Sequence, residues 1–268
     1  GASILNDIEA LPDGIMLWRS MTQWIGGMGI IVLTVAILPL FGVGGLELFM
    51  AESPGPSSGK IHPKITDTAK RLWILYVLLT FVEAVLLRIA GMSWFDAVNH
   101  SFTTMSTGGF STKNASIAAY NSPAIEYIIT AFMLVGGVNF SMIYFILKGA
   151  FKKVIDNEEF KTYIGVVLLF TGIITASLFS MNGELEKSFR ESVFQVVTII
   201  TTTGFSTSNY ALWSPFAYML IVLLMFTGGS AGSTSGGVKI ARHLIILKNG
   251  YMEFKRLIHP RAVIPVRI

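Results

Sequence analysis

Two short runs in this sequence combine residue types suited to capturing a small desolvated cation: Thr107-Gly108-Gly109-Phe110 and Thr202-Thr203-Gly204-Phe205. A cation leaving water needs its hydration shell replaced, and a ring of backbone carbonyls can do that. Glycine permits the φ values that turn successive carbonyls toward one axis, where a Cβ would clash. A neighbouring threonine offers a hydroxyl oxygen. A helix aiming its C-terminal end at such a loop adds partial negative charge, which favours a cation.

The two runs belong to a longer repeat. Placing Phe189-Arg190-Glu191-Ser192-Val193 under Trp94-Phe95-Asp96-Ala97-Val98 and keeping that offset carries Met105 to Thr112 onto Ile200 to Thr207. Ser93 to Ser106 and Ser188 to Thr202 are each helical in pattern and too short to cross a bilayer, and each ends in a Thr/Gly run. A serine opens each, followed within a few residues by Asp96 or Glu191, which suits a capped start. They read as re-entrant half-helices. Paired glycines recur in the span after each run, Gly136-Gly137 and Gly228-Gly229, and an earlier pair, Gly26-Gly27, lies at a similar distance from Gly1. Gly1 therefore reads as the remnant of an earlier filter loop, matching Gly109 and Gly204. Small residues also let membrane helices approach closely, and that plainer role is the expectation for Gly26-Gly27 and Gly136-Gly137.

The elements that must hold these loops are apolar. The 268 residues are 52% hydrophobic and 13% charged, with a mean hydropathy of +0.63, against roughly 25% charged in soluble domains. Five apolar stretches stand out: Trp24 to Phe41, Leu72 to Ala90, Ile125 to Leu147, Tyr163 to Phe179, and Phe216 to Phe226 continued by Val238 to Leu247. The first four are long enough to span. The fifth is interrupted by Thr227 and then by Gly228, Gly229, Ser230, Ala231, Gly232, Ser233, Thr234, Ser235, Gly236 and Gly237. Irregular backbone at membrane depth persists only when it is buried in protein or lines a watery cavity. This loop is read as an intramembrane barrier able to take two arrangements.

Charge gives orientation, because Lys and Arg collect on the cytoplasmic side of short loops. Lys60, Lys64, Lys70 and Arg71 precede the second stretch, Lys148, Lys152, Lys153 and Lys161 separate the third and fourth, and Lys239 to Arg267 carries a further basic cluster. The half-helix loops are richer in acids, so they enter from outside. The pI of about 9.2 is thus a topology signal, and nucleic-acid binding is not expected. The basic segment Lys239 to Arg267 is also a candidate contact for a soluble regulator.

Other chemistry finds little support. Cysteine is absent, so no disulfide or thiolate metal site exists. GSTSGGVK lacks the phosphate-loop spacing. The four histidines show no ligand spacing, and no Ser/His/Asp arrangement suggests an enzyme. Glu83 lies inside the second stretch and suits either a packed position or a pore position; Arg88, near its outer end, suits snorkelling. Two competing readings are a secondary transporter binding an organic solute at a discontinuous helix and a non-conducting membrane anchor. Transporters of the first kind often carry inverted repeats, whereas these two copies enter from the same side.

Gln23 to Leu33, Ser106 to Thr112, Thr201 to Thr207 and Gly228 to Lys239 together resemble the Trk/Ktr/HKT superfamily of potassium transporters, nearest its bacterial uptake subunit. The resemblance runs over essentially the whole chain. It implies an all-α integral membrane fold of span, pore half-helix, filter loop, span units around a pseudo-fourfold pore, here incomplete at both ends. On that plan residues 1–60 end repeat 1, 61–155 form repeat 2, 156–250 form repeat 3 with its broken second span, and 251–268 lead toward a fourth. The resemblance further implies potassium (K+) as the transported ion, with filter residues Gly1, Thr107 to Phe110 and Thr202 to Phe205, and a gating loop at Gly228 to Gly237. It implies a homodimer in the cytoplasmic (inner) membrane of a bacterium. It also implies a cytosolic RCK-type (TrkA-like) ring as partner, with nucleotide bound on that ring alone and no cofactor on this chain.

Overall fold

A computed structural model describes residues 3–5, 7–29 and 65–258. Gly1, most of the first apolar stretch, Lys60, Lys64, Arg261 and Arg267 lie outside the described residues.

Among the described residues the chain is helical, without strands. Helix α1 (Asp13–Trp24) runs into a π-helical turn, Ile25–Gly29. Next come α2 (Ile65–Ile89), α3 (Trp94–Met105), α4 (Pro123–Gly136), α5 (Phe140–Leu147), α6 (Phe151–Ile155), α7 (Glu158–Asn182), α8 (Leu185–Ile200), α9 (Pro215–Leu224) and α10 (Ile240–Ile258). Among the described residues two helices are long and apolar enough to cross a membrane, Lys70–Ile89 within α2 and Glu158–Asn182. Roughly 20 residues suffice for a 30 Å core.

Each of these long helices folds back onto a short one. Gly91 (φ 109) turns α2 into α3, and Gly183 (φ 72) ends α7 before α8, both in a backbone region that L side chains rarely adopt. At α3 the Ser93 hydroxyl accepts the Asp96 N–H at 3.0 Å, as the capping pattern predicts. The second half-helix differs. It begins at Leu185 behind Glu184, without a side-chain cap, and Ser188 lies buried inside it. The turn at Gly183 delivers the chain straight into the helix, so the helix gains most of a turn over the sequence expectation.

The third apolar stretch also departs from expectation. It is not one straight helix but α4 and α5, meeting at 106°, the geometry of a broken span or of a re-entrant loop. The helix stops at Gly136-Gly137, and Asn139 restarts it by accepting the Ser141 N–H at 2.8 Å. The fifth stretch is interrupted as the sequence indicates, between α9 and α10, but α10 continues to Ile258.

The core lies where the half-helices meet the spans. Tyr76, Phe140, Tyr163, Phe194 and Phe205 are its largest fully buried side chains. Outward faces of α2 and α7 expose Ile74, Phe81, Leu168 and Leu169, as lipid-facing helices do.

Candidate cation-conducting site

Both half-helices close onto their Thr/Gly loops with the same backbone pattern. Thr103 O accepts the N–H groups of Gly108 (2.8 Å) and Gly109 (3.2 Å), and Thr198 O accepts those of Thr203 (2.9 Å) and Gly204 (3.3 Å). The left-handed residues fall in register too: Thr107 (φ 51) with Thr202 (φ 57), and Gly109 (φ 72) with Gly204 (φ 87). A non-glycine residue with positive φ is uncommon and costs energy. Its presence at one position in both copies means that the surrounding structure imposes it. The sequence repeat is therefore a repeat in backbone conformation.

The two loops lie side by side. A Cβ placed on Gly109 would collide with the Thr203 carbonyl, so only glycine fits there. Among the described residues, the carbonyls of Thr107, Gly109 and Phe110, and those from Thr201 to Phe205, accept no hydrogen bond. In a helix such groups would be paired, and a buried unpaired carbonyl is costly. Gly108 is different: its carbonyl accepts the Gln23 amide N–H at 2.9 Å, while Gln23 Oε1 accepts the Phe110 N–H at 3.2 Å. Its oxygen is thereby turned toward α1. One helical turn earlier, Arg19 donates to Ser111 O (3.3 Å), with its guanidinium 3.8 Å above the Phe110 ring centre.

At the N-terminal end of α3 a polar cluster braces the first loop. Asp96 accepts hydrogen bonds from Thr112 Oγ1 (2.6 Å) and Ser93 Oγ (2.8 Å), and His100 Nε2 lies 3.0 Å from Ser111 Oγ. Burial works against the Asp96 carboxylate, but these hydroxyls outweigh it and hold its pKa below the ordinary value.

The loop at 228–237 lies directly under both runs. Thr107 Oγ1 donates to Thr234 O (2.9 Å), Thr234 Oγ1 donates to Met105 O (3.0 Å), and Thr202 Oγ1 accepts the Gly236 N–H (2.7 Å). On its other side the loop fills the break between α4 and α5: Ser230 N–H donates to Gly137 O, Phe140 N–H to Gly232 O, and Asn139 Nδ2 to Ala231 O. Glu159, at the start of α7, accepts the Ala231 N–H at 2.6 Å. Lys239 bonds to the Ser235 carbonyl, and Lys248 on α10 pairs with Glu158.

Of the residues singled out in the sequence, Thr107 to Phe110, Thr202 to Phe205 and Gly228 to Gly237 thus come together at one place. Gly27 and Gly137 take the packing role: a Cβ on Gly27 would press on Ser106 and one on Gly137 on Thr201. Glu83 is fully buried, and among the described residues neither carboxylate oxygen has a hydrogen-bond partner. Arg88 caps the chain locally on Met92 O. No cluster of metal-ligating side chains occurs among the described residues.

Comparison with known proteins gives the family. The model of the TrkH family, described as a cation transport protein, matches residues 1–181 and 168–268. The chain belongs to the TrkH family of cation transport proteins. It is a family of transporters, not of enzymes. The chain is 45% identical over 272 residues to the Trk system potassium uptake protein TrkH of Salmonella typhimurium, covering 100% of this chain and 56% of that one. It is 42% identical over 271 residues to TrkH of Halomonas elongata, with the same coverage. The crystal structure of the potassium transporter TrkH from Vibrio parahaemolyticus superposes with a TM-score of 0.84 at 38% identity, over 100% of this chain and 55% of that one. The chain spans about half the length of the TrkH relatives it matches.

Gln23 and Arg19 were missed in the sequence. Neither recurs in the repeat, and a glutamine on an apolar helix carries no periodic signal.

Proposed function

We propose that this chain carries part of a potassium uptake pathway across the cytoplasmic membrane of a bacterium, with the loops at Thr107 to Phe110 and Thr202 to Phe205 as two strands of its selectivity filter. The observation that carries this reading is the pair of matched loops whose carbonyls accept no hydrogen bond among the described residues, each at the C-terminal end of a buried half-helix. Such carbonyls can replace water around a cation, and the helix ends add negative potential. The potassium uptake function of the Salmonella relative supports the choice of ion.

Gly228 to Gly237 is the gate in this reading. The loop meets both strands through neutral hydrogen bonds to hydroxyls and backbone, contacts worth roughly 0.5–1.5 kcal/mol each, while Glu159, Asn139 and Lys239 hold it on its other side. Such a segment can hold two arrangements that a regulator biases. The basic helix α10 offers a surface for a cytosolic RCK-type ring carrying the nucleotide, and a homodimer is the assembly in keeping with the family resemblance.

The test is Gly109→Ser and Gly204→Ser in the full-length protein, with potassium and sodium flux measured after reconstitution. Each substitution should reduce the preference for potassium; unchanged permeability ratios in both would refute the filter assignment.

A further inference from the structure

The seams between successive units contain a joint that repeats in space but not in sequence register. Tyr76 on α2 donates its hydroxyl to Trp24 O at 3.0 Å, and Tyr163 on α7 donates its hydroxyl to Leu134 O at 3.1 Å. Each accepting carbonyl lies three residues before the second glycine of a pair, Gly27 or Gly137. Each of those glycines packs against the same tyrosine hydroxyl and against the residue that ends the next half-helix: Ser106 beside Gly27, Thr201 beside Gly137. Ser106 and Thr201 are themselves equivalent in the repeat and immediately precede the left-handed threonines Thr107 and Thr202.

Both tyrosines are buried, at 1% and 0% exposure. The ring of Tyr76 stacks on Trp24 with centroids 5.5 Å apart and meets Phe140 edge-on at 6.0 Å, so its hydroxyl has little freedom to aim elsewhere. A helix carbonyl beside glycine is open to a second donor, because no side chain shields it. The joint thus has three parts: a hydroxyl from the first span of one unit, a carbonyl and glycine from the second span of the preceding unit, and the base of the loop between them.

We infer that Tyr76 and Tyr163 are positioning residues for ion selectivity: their hydroxyls fix how closely each unit's second span approaches the base of the next unit's Thr/Gly loop, and so fix the spacing of adjacent filter strands. This rests on the filter reading above. The hydroxyl does not touch the ion; it sets a distance. A carbonyl cage discriminates between cations by the number and placement of its oxygens, so a loosened seam alters preference before it alters folding.

Tyr76→Phe and Tyr163→Phe remove only the hydroxyls. In the full-length protein, reconstituted and normalised for folded material, each should lower the potassium-over-sodium flux ratio by about threefold, the scale of one net hydrogen bond. The double variant should lower it further, with potassium flux itself largely retained. Gly109→Ser is the control. If it shifts the ratio while both folded Phe variants keep the wild-type value, the joint is overturned and the filter stands. If Gly109→Ser has no effect either, the filter reading fails and the joint fails with it. Loss of folded protein in both Phe variants also overturns the inference, because the hydroxyls would then hold the fold and not the loop spacing.

Discussion

Thr107 and Thr234 tie the first Thr/Gly loop to the segment packed beside it: the Thr107 hydroxyl donates to the Thr234 carbonyl at 2.9 Å, while the Thr234 hydroxyl lies within hydrogen-bond reach of two other carbonyls, Met105 O and Gly136 O. The loop below and the strand above therefore share hydrogen bonds. Thr202, the equivalent threonine, instead accepts the Gly236 N–H on its hydroxyl oxygen. Moving the lower loop must break contacts at the same position of both strands.

Removing the Thr234 hydroxyl tests this coupling. Thr234→Val keeps the shape and deletes the bonds to Met105 and Gly136, which should cost about 1–3 kcal/mol of closure as buried groups go unpaired. Flux measured without any regulator should rise roughly tenfold, the factor that ~1.4 kcal/mol produces. Flux equal to wild type in a folded variant would separate the loop from gating.

Gln23 offers a second test. It satisfies the Gly108 carbonyl and the Phe110 N–H together. Gln23→Leu should leave both backbone groups unpaired, at about 1–3 kcal/mol each, and weaken the preference for potassium while leaving the half-helix intact. Glutamate at this position keeps the acceptor for Phe110 and loses the donor to Gly108, so it should fall between leucine and wild type. The flux ratios of the three proteins decide.

Near the start of α8, Arg190 pairs with Glu126 on α4 at 2.5 Å, and both side chains are largely buried. Arg190 also pairs with the exposed Glu186 at 3.0 Å, so Glu126→Ala leaves the cation with that partner alone and should cost less than the roughly 3–5 kcal/mol of a buried charge stripped of every partner. The variant should lose thermal stability in detergent. The double variant Glu126→Leu, Arg190→Met should recover most of it, since replacing both charges removes the desolvation cost as well. A double variant no more stable than Glu126→Ala would assign the loss to packing.

Asp96 predicts an acid limit. Its pKa is depressed in the folded protein, so its contribution is complete above the unfolded value, about 4, and is lost as pH falls through the lower folded value. Thermal stability of wild type should decline below about pH 4, and Asp96→Asn should flatten that limb. Identical acid limbs in the two proteins would remove Asp96 as the cause.

Much of this architecture was legible because it repeats. The constant offset from Trp94 to Phe189 places both half-helices and both Thr/Gly loops, whereas the left-handed backbone of Thr107 and Thr202 was not legible, because glycine is the residue expected there. The glycine run at 228–237 marks a break because no lipid-facing helix carries it. The bend at Gly136 to Asn139 was not legible. Its two glycines look the same whether a helix packs through them or stops at them, and what decides is a partner almost a hundred residues later: Gly232 O accepts the Phe140 N–H. The tyrosine joint was hidden for another reason. Tyr76 precedes Trp94 by fewer residues than Tyr163 precedes Phe189, so an alignment anchored on the half-helices separates the two tyrosines that the fold makes equivalent.

The bend between α4 and α5 and the unwound segment beneath the Thr/Gly loops complete one another. Gly137 O takes the Ser230 N–H, Gly232 O takes the Phe140 N–H, and Asn139 reaches Ala231 O. Each interruption frees backbone groups that the other consumes. Straightening either into continuous helix would strand the amides and carbonyls of its counterpart in an apolar interior. The two irregularities thus behave as a single lock and its keyhole divided between distant stretches of chain, and a redesign that regularises one has to rewrite both.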